Sequence, residues 1–220
     1  MCLKKIFLIN KKENIIIEKN NKEEKIISNM LVILDNGHGI NTPGKCSPIY
    51  NGKQLLEYDF NRKVVNRIAE KCDAEDIKYI ILVPEIEDIS LSERCKRANK
   101  ISEKCFVLSI HANAGGGTGW EIWTSKGQTN SDKIANIFYE EACKEFGNEW
   151  RMRSDTADGD YDKEENFTIL YNTRCPAVLT ENFFMDNEKD CLFILSDEGI
   201  ERIAEMHFKA IKRIINENIF

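Results

Sequence analysis

The chain has 220 residues, with 31 Lys and Arg against 37 Asp and Glu and a formal charge of −6; at a pI near 5.3 it offers no basic footprint for nucleic acid. That length suits one large domain with an ample core, and no apolar run approaches the ~20 residues of a membrane span. Its eight cysteines include no Cys-x-x-Cys pair, so they read as reduced thiols, neither a disulfide framework nor a cysteine zinc cluster.

Residues 1–29 are rich in Lys, Asn, Glu and Ile and are set apart from a folded unit over 30–220. Ile6-Phe7-Leu8-Ile9 and Asn14-Ile15-Ile16-Ile17-Glu18 could pair as a hairpin across Lys11-Lys12-Glu13, or the segment could be a loose leader. Its apolar core is too short for a secretory signal, which needs roughly 7–15 residues, so the expectation is synthesis in the cytoplasm.

The first convincing strand is Leu31-Val32-Ile33-Leu34, which ends in Asp35-Asn36-Gly37-His38-Gly39. Four consecutive aliphatic residues have the character of a strand buried on both faces of a parallel sheet. Residues 39–52 carry Pro43, Gly44, Pro48 and Asn51-Gly52 and read as a structured loop. Leu56, Phe60, Val64, Ile68 and Cys72 then recur every four residues, which predicts a helix over about 55–72 with Glu57 in its first turn. A strand over 77–83 ends at Pro84. Ser90, with Glu93 three residues on, caps a short helix over 91–101, and Cys105 to Ile110 form the next strand. Ala114-Gly115-Gly116-Gly117-Thr118-Gly119 is a loop leading into a strand over 120–123; it lacks the Gly-Lys-Ser/Thr and the following helix of a phosphate loop. An amphipathic helix over 131–146 precedes a polar, acidic excursion over 147–166. Phe167 to Leu170 read as an edge strand, Ala177 to Glu181 as a core strand, and 200–215 as the closing helix. Strands alternating with helices predict an α/β sandwich around a largely parallel sheet.

Catalytic groups in open α/β sheets collect beyond the carboxyl ends of the strands. Here three strands end in His38, His111 and Glu181. Two imidazoles and a carboxylate are common donors to catalytic zinc, which keeps one position open for water. The third ligand by this reading is Glu57, whose helix could return to the His38 loop, although a first-turn Glu could equally serve the helix dipole. Glu181, beside the proposed metal, suits a general base that later passes its proton to a leaving amine. His207 lies on the apolar stripe of the last helix, where packing is the expected role. Asn113 could donate to an oxyanion or simply shape the turn before the glycine loop. Arg151 and Arg153 in the excursion could grip carboxylates of a substrate, or belong to a solvated loop.

The ordered set Ile33-Leu34-Asp35-Asn36-Gly37-His38-Gly39, Glu57, Leu91-x-x-Arg94-x-x-x-Ala98-Asn99, Ser109-Ile110-His111-Ala112-Asn113-Ala114 and Pro176 to Asn187 resembles the zinc-dependent N-acetylmuramoyl-L-alanine amidases of the amidase-3 type. The resemblance covers about residues 30–217. It implies a single three-layer α/β/α domain around a twisted, mostly parallel sheet, with Zn2+ held by His38, Glu57 and His111 and with Glu181 catalytic. It implies hydrolysis of the amide between the lactyl group of N-acetylmuramic acid and L-alanine in peptidoglycan or muropeptides. A monomer is expected, and the charge and the lack of a long apolar run leave no expectation of nucleic-acid or membrane partners. Two departures concern substrate holding. After His38-Gly39, Ile40-Asn41-Thr42-Pro43-Gly44-Lys45 stand where the family commonly has a second Gly followed by an Asp. Tyr171 stands where an arginine is frequent, so nearby Arg174 is the candidate in its place. The expected site of action is the cell wall after release or lysis, as for an endolysin or autolysin, or soluble muropeptides in the cytosol. A zinc peptidase cutting within the stem peptide and a non-catalytic wall-binding module are the competing readings.

Overall fold

A computed structural model describes the backbone of residues 7–10, 15–20 and 23–28 and the whole of residues 30–220. Strands β1 (Phe7–Asn10), β2 (Ile15–Asn20) and β3 (Glu23–Ser28) pair antiparallel in a sheet of their own, with Phe7 opposite Glu18 and Ile15 opposite Ser28. Ile6, Asn14 and the turn at 11–13 of the expected hairpin lie outside the described residues.

The second sheet carries the rest. In chain order its elements are β4 (Leu31–Asn36), α1 (Glu57–Ala74), β5 (Tyr79–Ile81), α2 (Leu91–Ala98), β6 (Cys105–Asn113), β7 (Trp120–Thr124), α3 (Asn130–Phe146), β8 (Lys163–Glu164), α4 (Thr168–Tyr171), β9 (Ala177–Phe184), α5 (Glu188–Ile194) and α6 (Asp197–Glu217). The six strands lie in the order β5-β4-β6-β9-β7-β8. The first four run parallel, β7 runs antiparallel to β9, and β8 runs parallel to β7. The sheet is therefore mixed but mostly parallel, as expected.

Alternation along the strands builds two cores. Val32 and Leu34 of β4, Phe106, Leu108 and Ile110 of β6 and Val178 of β9 face one side, where α1, α3 and α6 cover them. Leu31, Ile33, Val107, Ala177 and Leu179 face the other, beneath α2 and α4. A strand covered on both faces reads as a near-continuous apolar run, which explains the unbroken Leu31-Val32-Ile33-Leu34 run. Each large aliphatic or aromatic side chain so buried contributes roughly 1.5–3 kcal/mol.

Helix ends follow local chemistry. Ser90 Oγ accepts from Glu93 N at 3.2 Å and starts α2 as its sequence promised. Thr129 and Asp132 form a reciprocal capping box on α3, and Ser196 Oγ accepts from Gly199 N at 2.9 Å to open α6. His207 sits inside, with Nδ1 donating to Ile203 O at 2.8 Å and Nε2 3.0 Å from the Thr180 hydroxyl. Burial pushes its pKa down to about 4, so it is a neutral packing residue, as periodicity predicts.

Three expectations need correction. Phe167 to Leu170 do not form an edge strand: Leu170 N and Tyr171 N both bond to Phe167 O, and α4 is a single helical turn that buries Ile169 and Leu170 under the sheet. Packing overrides the strand preference of Thr168 and Ile169, and the edge is instead the two-residue β8. The 147–166 segment is not wholly a solvated loop, because Asp160 and Asp162 are buried and Met152 bridges to Trp120. Arg174, finally, precedes β9 at the amino end of the parallel strands, where its backbone N bonds to Asn99 Oδ1 and its side chain is exposed. The strand ends that carry His111 and Glu181 lie at the opposite end of β9.

Candidate active site

Parallel pairing sets the site. β4 and β6 run in register, so Asn36 lies opposite Ile110, and the chain continues from these ends into His38 and His111. β9 places Glu181 opposite His111, and β7 places Glu121 opposite Glu181, giving a row of three polar side chains across three strands. The strand-end loops do the rest. His38 has a φ of 64°, an uncommon conformation for a non-glycine residue. The glycines beside it are required by space: a Cβ on Gly37 would lie 2.1 Å from the His111 ring, and one on Gly39 would lie 2.0 Å from Asp88 N.

Buried polar groups hold that turn. Arg94, itself 2% exposed, donates from Nη1 to Asp35 Oδ1 at 2.6 Å and to Asn36 O at 3.3 Å, and from Nη2 to His38 O at 3.3 Å and to Asp88 Oδ1 at 2.8 Å. Ser109 Oγ donates to Asp35 Oδ2 at 2.6 Å, and Asn61 Nδ2 to Gly37 O at 2.9 Å. A planar guanidinium supplies several donors in a fixed fork, so one side chain ties β4, the His38 turn and the loop before α2 together.

Glu57 arrives as predicted, returned to the strand ends by the 39–56 loop. Cys46 pairs with Leu56 and Tyr50 with Lys53, and Glu57 N bonds to Lys45 O at 3.0 Å. Its Oε1 lies 3.3 Å from His38 Nε2 and 3.1 Å from His111 Nδ1, and accepts from Ala112 N at 3.2 Å. The two imidazoles meet edge to face, 4.8 Å between centroids. One donor atom from each of the three residues lies within 4.8 Å of the others. Burial would raise the Glu57 pKa, but the hydrogen bonds and charge of His111 and His38 outweigh it and hold this carboxyl well below the usual range. His38 Nε2 and Glu57 Oε2 are buried and without hydrogen-bond partners. The two imidazole side chains are 17% and 15% exposed and Glu57 1%, so the triad lies just beneath the surface. Lys45 Nζ lies 3.6 Å from Glu57 Oε2; two ring nitrogens and a carboxylate, with His38 Nε2 lacking a hydrogen-bond partner, fit a divalent metal with an open position.

Glu181 flanks this triad. Burial, reinforced by the Glu57 and Glu121 charges, pushes its carboxyl up to about 8, and its Oε2 has no hydrogen-bond partner. Burial among other carboxylates is what disfavours its charged form.

Other candidates are sorted by their contacts. The Asn113 amide donates from Nδ2 to Glu121 Oε1 at 2.7 Å, and its Oδ1 accepts from Ala114 N at 2.8 Å, so it shapes the turn. Arg153 Nε contacts Glu121 Oε2 at 2.5 Å, Lys163 Nζ reaches the same oxygen at 2.8 Å, and Trp123 Nε1 donates to Oε1 at 3.1 Å. Arg153 thus reaches the row of carboxylates through Glu121, whereas Arg151 is exposed. The glycine loop does not cradle an outside anion. Gly115 N and Gly116 N donate to Asp186 Oδ2 at 2.7 and 2.8 Å, and Gly119 N and Thr118 Oγ1 donate to Asp190, each at 2.8 Å. Sequence reasoning assigned no role to Arg94, Asp35 or Glu121. Asp35 and Glu121 interrupt apolar strand patterns, which marks them as unusual without naming their partners; Arg94, on α2, has no such mark.

Comparison with known proteins agrees with this geometry. Residues 32–213 match the Amidase_3 family model, described as N-acetylmuramoyl-L-alanine amidase. The chain is 30% identical over 186 residues to the N-acetylmuramoyl-L-alanine amidase CwlM of Bacillus licheniformis, covering 84% of this chain and 68% of that protein. It is 29% identical over 197 residues to the endolysin of Bacillus phage SPP1, covering 84% and 66%. Among solved structures, the N-acetylmuramoyl-L-alanine amidase from Clostridium difficile 630 superposes with a TM-score of 0.75 at 25% identity, covering 86% of this chain and 98% of that one. The CwlV catalytic domain from Bacillus (Paenibacillus) polymyxa, at 20% identity and a TM-score of 0.72, shares the fold. The chain belongs to the amidase-3 family of N-acetylmuramoyl-L-alanine amidases.

Proposed function

We propose that the chain is a zinc amidase that cleaves the bond between the lactyl group of N-acetylmuramic acid and the L-alanine of the stem peptide, with His38, Glu57 and His111 as ligands and Glu181 as the proton carrier. The observation that carries this reading is the convergence of those four side chains, from four separate segments, at one end of the parallel strands. Zinc is favoured over harder cations by the two imidazoles. The donor spacing supports it too: a tetrahedron with bonds of ~2.0–2.2 Å has edges of about 3.3–3.6 Å, close to the 3.3 and 3.1 Å that separate Glu57 from the two rings. When bound, zinc lowers the pKa of water to about 7 and polarises a carbonyl.

The chain's own residues supply the remainder. Glu181 takes a proton from the attacking water and delivers it to the departing alanine nitrogen, a carboxyl alternating between base and acid. Glu121, fixed by Arg153 and Lys163, stands opposite Glu181 on the neighbouring strand. Likeness to an endolysin and to a Bacillus amidase supports intact wall peptidoglycan as the substrate, reached after release or lysis.

Digestion of purified sacculi with zinc-loaded and chelator-treated protein tests the assignment, with mass spectrometry of the products. Free stem peptides beginning with alanine, lost on chelation and restored by zinc, are expected. Fragments cut inside the stem peptide would mean a peptidase instead. Turnover of soluble muropeptides alone, with sacculi untouched, would place the substrate in solution.

A further inference from the structure

A second group of acidic side chains lies apart from the triad, where the 147–166 segment meets the sheet. Asp132 comes from the first turn of α3, and Asp160 and Asp162 come from the run into β8. They are 4%, 7% and 1% exposed, and one carboxylate oxygen from each lies within 4.8 Å of the others. Each residue uses one oxygen for the fold. Thr129 N donates to Asp132 Oδ2, Gln128 Nε2 to Asp160 Oδ2 at 3.1 Å, and Thr124 Oγ1 to Asp162 Oδ2 at 2.5 Å. The other oxygen of each, Oδ1 in all three, is buried with no hydrogen-bond partner.

Three carboxylates cannot be buried together without compensation, since each ion loses hydration and repels its neighbours. Among the described residues none of the three pairs with lysine or arginine. Lys163, next in sequence, turns to Glu121, and Lys126 pairs with Glu165. Glu164 adds further negative potential at Asp132. Three orphaned oxygens, free of nitrogen or sulfur donors, form the environment that hard divalent cations take. Calcium fits better than magnesium: it binds several protein carboxylates directly at 2.3–2.6 Å, whereas magnesium demands a tight octahedron and keeps most of its waters.

We propose that Asp132, Asp160 and Asp162 form a second metal site, for Ca2+, that fastens the 147–166 segment to the start of α3 and the end of β7. The clamp bears on the active-site rim, because the same segment carries Arg153, and Lys163 follows Asp162 directly; both hold Glu121. The site stands on its own observations and does not depend on the amidase reading.

The test uses the full chain, loaded with one equivalent of zinc and freed of other cations, titrated with CaCl2 by calorimetry and followed by thermal unfolding. The expected result is one Ca2+ per chain with a Kd of about 10⁻⁶–10⁻⁴ M, and a Tm raised by about 5 °C at a hundredfold excess over Kd. Asp162→Asn and Asp160→Asn keep an acceptor for Thr124 and Gln128 and relieve repulsion. Both variants should fold, retain zinc, and lose the calcium heat and the calcium-dependent Tm shift. No heat and no shift at millimolar Ca2+ would overturn the proposal. So would a shift that both variants retain, or tighter binding of Mg2+ than of Ca2+.

Discussion

Replacing Glu181 by Gln is expected to lower the rate of amide cleavage by about 10²–10⁴, the usual worth of a positioned proton carrier, while zinc content stays at one per chain. The ligands do not depend on this side chain: Glu57 touches both imidazoles directly, and Glu181 lies opposite His111 without a hydrogen bond to it. A second consequence concerns the burial of this carboxyl. The Glu181 carboxyl is raised from 4.5 to about 8 in the metal-free fold. Between those values the folded protein holds a proton that the unfolded chain has released, so this group's stability is lost as pH rises through the window. A glutamine side chain in its place cannot ionise. The metal-free variant should therefore gain in Tm over the parent as pH is raised from 5 to 8, and the gain should level off above that. Retained turnover would refute the role, and a Tm difference that does not change with pH would refute the raised carboxyl.

The second large effect falls on Arg94, which touches no substrate. Arg94→Ala is expected to destabilise the fold by about 3–5 kcal/mol in urea unfolding, the cost of leaving a buried charge without its partner. Asp35 is 1% exposed and would keep only Ser109 as a donor. Zinc affinity should fall with it, because Arg94 also holds His38 O and the strained His38 turn. Arg94→Lys should recover part of the stability and little of the zinc affinity, since an ammonium cannot reach Asp35, Asp88 and His38 O as a planar fork does. A loss under 1 kcal/mol for the alanine variant would show that the network is not what fixes the turn.

These two residues also mark how far the sequence is readable. Glu181, His38 and His111 announce themselves because each closes an apolar run, and strand ends are where parallel sheets collect their chemistry. The helices α1, α3 and α6 are visible through their periodic apolar faces. Arg94 is harder: its partners Asp35 and Asp88 are 59 and 6 residues away, and no local pattern encodes a pairing that only the folded sheet creates. Glu121 is hidden the same way, its cations coming from 32 and 42 residues later. The one-turn α4 mimics a strand because Thr168 and Ile169 are β-branched. The short α5 escapes periodicity altogether, although its cap, Asn187 Oδ1 accepting from Asp190 N, was there to be read. Arg174 misleads for a different reason: it is close in sequence to β9 but belongs to the wrong end of it.

The most direct measurement is a crystal structure of the zinc-loaded protein with anomalous data on both sides of the zinc absorption edge. The strongest edge-dependent peak should lie within about 2.0–2.3 Å of a ring nitrogen of His38, a ring nitrogen of His111 and a carboxylate oxygen of Glu57, with Glu181 beside it and unbound. A protein that carries stoichiometric zinc but shows that peak elsewhere, or with Glu57 turned away, would contradict the account.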